Sequence, residues 1–315
     1  MKTQTKQIFA TLEVLTSNLY FKLSGHEDGS CIHPFVWDIS KNGKFSVINL
    51  CLSKYWLQLT DDDAVFPSCQ AMEYLRYFNS FSLKTDEIAA KSKKIEYLYQ
   101  ILSQKLKNIE YYDLKASSDF PSDAFVVLIV GETVDGDWIS VCHTLYKETN
   151  ISDDIINRSA KSPLRPEKSL GQNTLNLISE IEAIILDIGV VDLEGDFGGG
   201  YYYSFQHKFV YGIAETKALA VEQALQASGL LEIAKFNCFY ADKKFYHSSY
   251  NYHSSYNNDK FENYKKINNF LHQNFDEVIM YRFSFWTEEN IYIIGQAPCG
   301  DWIGLYIPST FTYNP

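Results

Sequence analysis

The chain is short of positive charge: 28 Lys and Arg stand against 39 Asp and Glu, a formal net charge of −11. Sequence-independent nucleic-acid binding needs a basic surface to meet phosphates, so no direct nucleic-acid contact is expected. No uninterrupted run of about 18 apolar residues occurs, so no membrane-spanning helix is expected either. The stretch Met1-Lys-Thr-Gln-Thr-Lys-Gln-Ile-Phe-Ala lacks the apolar core of a signal peptide. Cys-x-x-Cys pairs are absent. The six cysteines, Cys31, Cys51, Cys69, Cys142, Cys238 and Cys299, are scattered and read as reduced thiols. The cytoplasm is therefore the expected location.

What is present points to folded, aromatic-rich domains. Apolar residues make up 46% of the 315 positions and aromatics 16%, enough for two domains of ordinary size. The 23 Tyr and 21 Phe favour β-rich or mixed structure. One stretch occurs twice: "IVGETVDGDWI" at 129–139 and "IIGQAPCGDWI" at 293–303. Upstream of the first copy, Ile95, Leu98, Leu102, Leu106 and Ile109 are spaced 3, 4, 4 and 3, one face of a helix. Upstream of the second, Tyr264, Ile267, Leu271, Phe275 and Val278 repeat that spacing at an offset of 169. A fainter echo links "HPFVW" at 33–37 with "HKFVY" at 207–211, and helices are expected over Leu12–Leu23 and Leu175–Leu186.

A duplication explains this order most economically. The expected division is a first domain over 1–150, a linker over 151–173 and a second domain over 174–315. The second carries a Tyr/Ser/Asn/His-rich stretch around 246–258, with too few aliphatic residues to anchor it, and reads as a mobile insert. A further helix is expected over Ala214–Ala227, with residues 69–81 as its faint counterpart.

No catalytic constellation emerges. Asp135-Gly136 between two aliphatic runs is a strong hairpin signal, and Cys299-Gly300 serves equally, so Gly-Asp-Trp reads as a turn before a Trp-anchored return strand. The run Gly195-Asp-Phe-Gly-Gly-Gly200 lacks the order of a phosphate loop. Among the seven histidines, His247 and His253 have no cysteine partners nearby, while His33 and His207 read as structural at strand starts. Asp61-Asp-Asp63 reads as a solvated turn, and no Gly-x-Ser-x-Gly is found. Catalytic residues, cofactor and metal are accordingly expected to be none.

Each half contains a helix, a Tyr-bearing strand, a strand ending Ile-Val/Ile-Gly-Glu/Gln, a turn and Gly-Asp-Trp-Ile. Leu145-Tyr-Lys-Glu-Thr149 adds a closing Glu-Thr, and Leu19–Trp37 carries Pro34-Phe35 and Trp37 in an early apolar segment. This pattern resembles the nuclease A inhibitor-like family, whose members block sugar-non-specific DNA/RNA endonucleases. The resemblance implies an α+β fold: two tandem α/β/α-sandwich domains with mixed or antiparallel sheets. It implies a non-enzymatic protein whose partner is another protein, a non-specific nuclease whose substrate site it plugs. Family inhibitors direct an acidic side chain and the terminal Glu-Thr at the catalytic metal, which maps partner contact onto Glu27, Asp28, Glu148 and Thr149. Here Thr149 is followed by 166 residues and has no free α-carboxylate. The alternative reading is a scaffold or interaction protein that kept the fold and lost inhibition; an enzyme invisible to sequence patterns stands third.

Overall fold

The computed structural model describes residues 2–21, 23, 30–60, 84–114, 126–144, 151–160, 169–196, 202–241, 256–285 and 288–310. The chain forms two compact units, each built from separated segments: unit 1 from Met1–Phe45, Lys147–Ser162 and Leu231–Pro315, unit 2 from Ser46–Tyr146 and Pro163–Leu230. These do not follow the expected contiguous division at 1–150 and 174–315. The physical reason lies in strand pairing, because strands from the two ends of the sequence complete each other's sheets.

In unit 1 the strands β3 (His33–Trp37), β8 (Ile156–Ala160), β12 (Leu231–Phe239), β13 (Val278–Phe285), β14 (Glu288–Gln296) and β15 (Trp302–Thr310) form one antiparallel sheet. Their order is β3-β15-β14-β13-β12-β8. Helices α1 (Thr3–Thr16) and α7 (Tyr256–Asn274) bury their apolar sides on one face of it. Ile8 and Leu12 meet Tyr264, Ile267, Leu271 and Phe275 over Met280, Ile291, Ile293, Ile303 and Leu305. A short ribbon of β1 (Tyr20–Phe21) and β2 (Ser30–Cys31) follows α1 and belongs to the same unit. Residues 156–160, read as linker from the sequence, are thus the edge strand of this sheet.

Unit 2 contains a five-stranded antiparallel sheet in the order β11-β7-β6-β5-β4, formed by β4 (Leu57–Thr60), β5 (Lys107–Leu114), β6 (Val126–Glu132), β7 (Trp138–His143) and β11 (Phe209–Ala214). On one face lie α4 (Thr85–Lys105) and α5 (Gln172–Ile188), where Ile95, Leu98 and Leu102 meet Leu177, Ile181 and Ile188 over Ile129, Ile139 and Val141. Helix α6 (Lys217–Ala227) covers the opposite face. Its approach needs a glycine, since a Cβ on Gly212 would lie 2.4 Å from the Ala220 carbonyl oxygen. Thr216 caps α6 through its hydroxyl, which accepts from Leu219 N–H. Helix α3 (Val47–Ser53) and the ribbon of β9 (Val191–Asp196) and β10 (Tyr202–His207) complete the unit; the four-residue α2 (Ile39–Asn42) belongs to unit 1. Every strand pair is antiparallel and the fold is α+β.

Helix ends depart from the periodic count. Ile109 and Val278 continue the 3-4-4-3 spacing yet lie in β5 and β13, because α4 and α7 stop at Lys105 and Asn274. Helix α1 starts at Thr3, well before the expected Leu12, and Leu19 and Leu23 fall beyond its end. Residues 61–63 and 69–81, and the insert apart from the helical 256–258, lie outside the described residues.

The repeated stretch is a hairpin in both units. Its first glycine is a packing requirement: a Cβ on Gly295 would sit 2.3 Å from Phe275 Cγ, and one on Gly131 would sit 2.8 Å from Leu106 Cβ. The second glycine has positive φ, +86° at Gly136 and +95° at Gly300, whereas Asp135 and Cys299 do not. Thr133 N–H donates to the Asp137 carbonyl, and Gly136 N–H to that of Thr133. This is a three-residue loop closed by a left-handed glycine rather than a two-residue turn. Replacing Gly295 with Ala therefore pushes the Phe275 ring off the sheet, and urea unfolding should show a loss of roughly 1–3 kcal/mol.

Candidate functional site

The four residues singled out by the family resemblance lie outside the described residues: Glu27 and Asp28 between β1 and β2, Glu148 and Thr149 between β7 and Ile151. The described residues bracketing them share one core. Leu19, Phe21, Leu23 and Ile32 on either side of the first pair, and Ile151, Ile155 and Ile156 after the second, are buried together in unit 1. Beneath them is an aromatic floor. Phe21 lies 5.5 Å from Phe239 and 6.1 Å from Tyr240 between ring centroids, and Tyr264 Oη donates to the Tyr20 carbonyl at 2.6 Å. Tyr240 N–H donates to the Ile155 carbonyl at 2.9 Å, tying the end of β12 to the turn 152–155.

That turn carries two carboxylates the sequence reading passed over as linker. Asp153 is largely exposed and pairs with Arg158 at 3.1 Å, while Ser152 Oγ accepts from Asp154 N–H at 3.2 Å. The signal was present in "ISDDII", an acidic pair clasped between buried isoleucines.

The Asp of Gly-Asp-Trp, by contrast, is buried and saturated from within. Asp301 Oδ2 accepts from Thr5 Oγ1 at 2.6 Å and Oδ1 from Ile39 N–H at 3.1 Å. Thr5 lies in the first turn of α1, so the carboxylate faces the positive end of a helix. In unit 2 the same corner divides the task. Asp137 Oδ2 accepts from Gly171 N–H at 3.3 Å, and Asp135 Oδ2 accepts from Thr174 N–H at 2.9 Å at the start of α5. Hydrogen bonds from Asn173 and Thr174 hold the Asp135 carboxyl below the usual carboxylate range. Trp302 then lies 4.8 Å from Phe45, between ring centroids, in an aromatic group with Trp37. These contacts make the motif a hairpin-to-helix latch.

Other polar clusters are also internally engaged. Fully buried Arg282 grips Glu289 through two hydrogen bonds of 2.6 and 2.7 Å, Ser284 Oγ donates to the same carboxylate, and Glu232 links Arg282 to Arg158. Such a chain costs desolvation and gains geometry rather than chemistry. His33 opens β3 and is exposed, but His207 closes β10 instead of starting a strand and is buried. Its ring lies 4.7 Å from that of His143. Burial pushes the His207 pKa well below the ordinary imidazole range, and the nearby His143 and Lys91 add to the shift. Burial also drives the Cys142 thiol up to about 12, which removes it as a nucleophile. His26, His247 and His253 lie outside the described residues, while His272 bonds the Asn237 carbonyl. Among the described residues, no group of three or more His, Cys, Asp or Glu is placed to hold a metal ion. No helix among them is long and apolar enough to cross a membrane.

The described residues define an antiparallel α+β protein of helix-backed sheets. Residues 205–310, about a third of the chain, match the model of the family "Nuclease A inhibitor-like protein". The match runs from the end of β10 through β15, crossing from unit 2 into unit 1 after Leu230. It covers one copy of the pattern and supports a nuclease-inhibitor-like protein in this broad sense. Neither a curated protein nor a solved structure matches the chain.

Two measurements check the electrostatics. Asp301→Ala strips Thr5 and Ile39 of their acceptor and should lower stability by about 1–3 kcal/mol in urea unfolding. Because the folded state disfavours protonated His207, the unfolded chain binds the extra proton. Stability is therefore expected to fall as pH drops below about 6.5, the ordinary imidazole value. His207→Phe should flatten that part of the profile of Tm against pH.

Proposed function

We propose that the chain is a non-catalytic protein-binding protein of the nuclease-inhibitor type, built from two copies of one domain and acting in the cytoplasm. The observation that carries this reading is one shared core: residues that flank Glu27-Asp28 in sequence and those that follow Glu148-Thr149 are buried together in unit 1. Partner contact is proposed for Glu27, Asp28, Glu148 and Thr149, and for Asp153 and Asp154, which follow the last two in sequence. The net charge of −11 suits a basic nuclease cleft, where carboxylates stand in for substrate phosphates. The family match at 205–310 supports the class of activity. The two Gly-Asp-Trp hairpins, each latched to a helix start, support the duplication.

One observation favours a second reading, a scaffold that binds other proteins without inhibiting nucleases. Thr149 is internal, so the terminal carboxylate of the family pattern is missing at that position. Titrating the full chain into a metal-dependent, sugar-non-specific nuclease assay separates the two. Stoichiometric loss of activity is expected, and Glu27→Ala with Asp28→Ala should weaken it by roughly tenfold or more, about 1.4 kcal/mol. No inhibition of any such nuclease at high micromolar concentration, with non-nuclease proteins captured instead, would replace the inhibitor by the scaffold.

A further inference from the structure

Each unit is assembled crosswise from the two halves of the sequence. In unit 1, α1 and β3 from the first half meet α7 and β15 from the second: Trp37 stands opposite Trp302, and Thr5 donates to Asp301. In unit 2, α5 and β11 from the second half meet α4 and β7 from the first, with Ala214 opposite Trp138 and Thr174 bonded to Asp135. Two ion pairs of 2.9 Å, Lys94–Asp187 and Lys217–Glu110, bridge the same halves within unit 2. Tandem domains folding separately would pair β3 with β7 and β11 with β15, and would set α1 beside α4. The arrangement here is the reciprocal one at every position.

We propose that the two sequence halves are interlocked by exchange of their amino-terminal helix-to-strand segments, so that each half is the other's obligatory partner and the peptide connection between them is dispensable for holding them together. Calling this an exchange between copies rests on the duplication proposed above; the interlocking itself stands on the pairings alone. Exchange of this kind conserves each contact while changing which segment supplies it, so it costs little in packing. What it changes is independence. The core that buries Leu19, Phe21, Leu23 and Ile32 of the first half is contributed largely by Phe236, Phe239, Tyr240, Phe261 and Tyr264 of the second. A half on its own leaves that apolar surface open to water.

The test uses the full chain with a specific protease site substituted within 163–168. After cutting under native conditions, the two fragments are expected to co-elute at the intact mass and to keep the thermal transition of the uncut protein. Separately, carbodiimide treatment of the uncut, unsubstituted chain should join Lys94 to Asp187 and Lys217 to Glu110, read by peptide mass spectrometry. Separation of the cut chain into two folded species, or absence of both cross-links from the folded intact chain, overturns the interlocking. If cutting makes the fragments precipitate, the cross-links on the intact chain decide. Either failure leaves nuclease inhibition untouched, because that activity is read in its own assay.

Discussion

The pairing of β3 with β15 and of β11 with β7 is the constraint on which everything else depends. An antiparallel ladder fixes register residue by residue, and a slip of one would turn every buried side chain to the wrong face. Once Trp37 stands opposite Trp302, α1 is committed to the sheet of unit 1, and its first turn meets Asp301. Once Ala214 stands opposite Trp138, α5 is committed to unit 2 and meets Asp135 and Asp137. The carboxylates make the commitment chemically specific, because each is buried or hydrogen-bonded only with its helix start in place.

Gly-Asp-Trp therefore serves geometry. One glycine admits a bulky side chain from the end of the preceding helix, the next turns the chain through positive φ, and the Asp fastens a helix start. Charge is also used inside the fold, as in the Arg282–Glu289 grip.

The helix faces were legible because burial follows the 3.6-residue period, and Ile95, Leu98 and Leu102 and their counterparts Tyr264, Ile267 and Leu271 all reached a core. The period said nothing of where a helix stops, since Ile109 and Val278 keep the spacing while belonging to strands. The "HPFVW" and "HKFVY" echo misled by three residues: it sets Trp37 against Tyr211, whereas the registers, Trp37 opposite Trp302 and Ala214 opposite Trp138, make Ala214 the counterpart of Trp37. Strand β8 hid behind Asn157, Arg158 and Ser159, polar residues on a sheet edge. Crosswise assembly was invisible for a deeper reason. A local pattern specifies which elements pair, but a pattern that recurs in the sequence offers two partners for each, and the choice between them leaves no local trace. The proposed contact residues Glu27, Asp28, Glu148 and Thr149 came only from the family pattern, as a few carboxylates have no periodicity to betray them.

The reach of the β3–β15 ladder has a consequence for how the protein comes into being. Trp37 is made 265 residues before its strand partner Trp302. At about 5–20 residues per second this is a delay of roughly 13–53 s. Throughout that interval the amphipathic α1 has neither sheet nor Asp301 to rest upon, and the local nucleation that speeds small helical domains is denied to it. Vectorial synthesis thus runs against the topology, and the sheet that receives α1 is complete only once its last strand has been made.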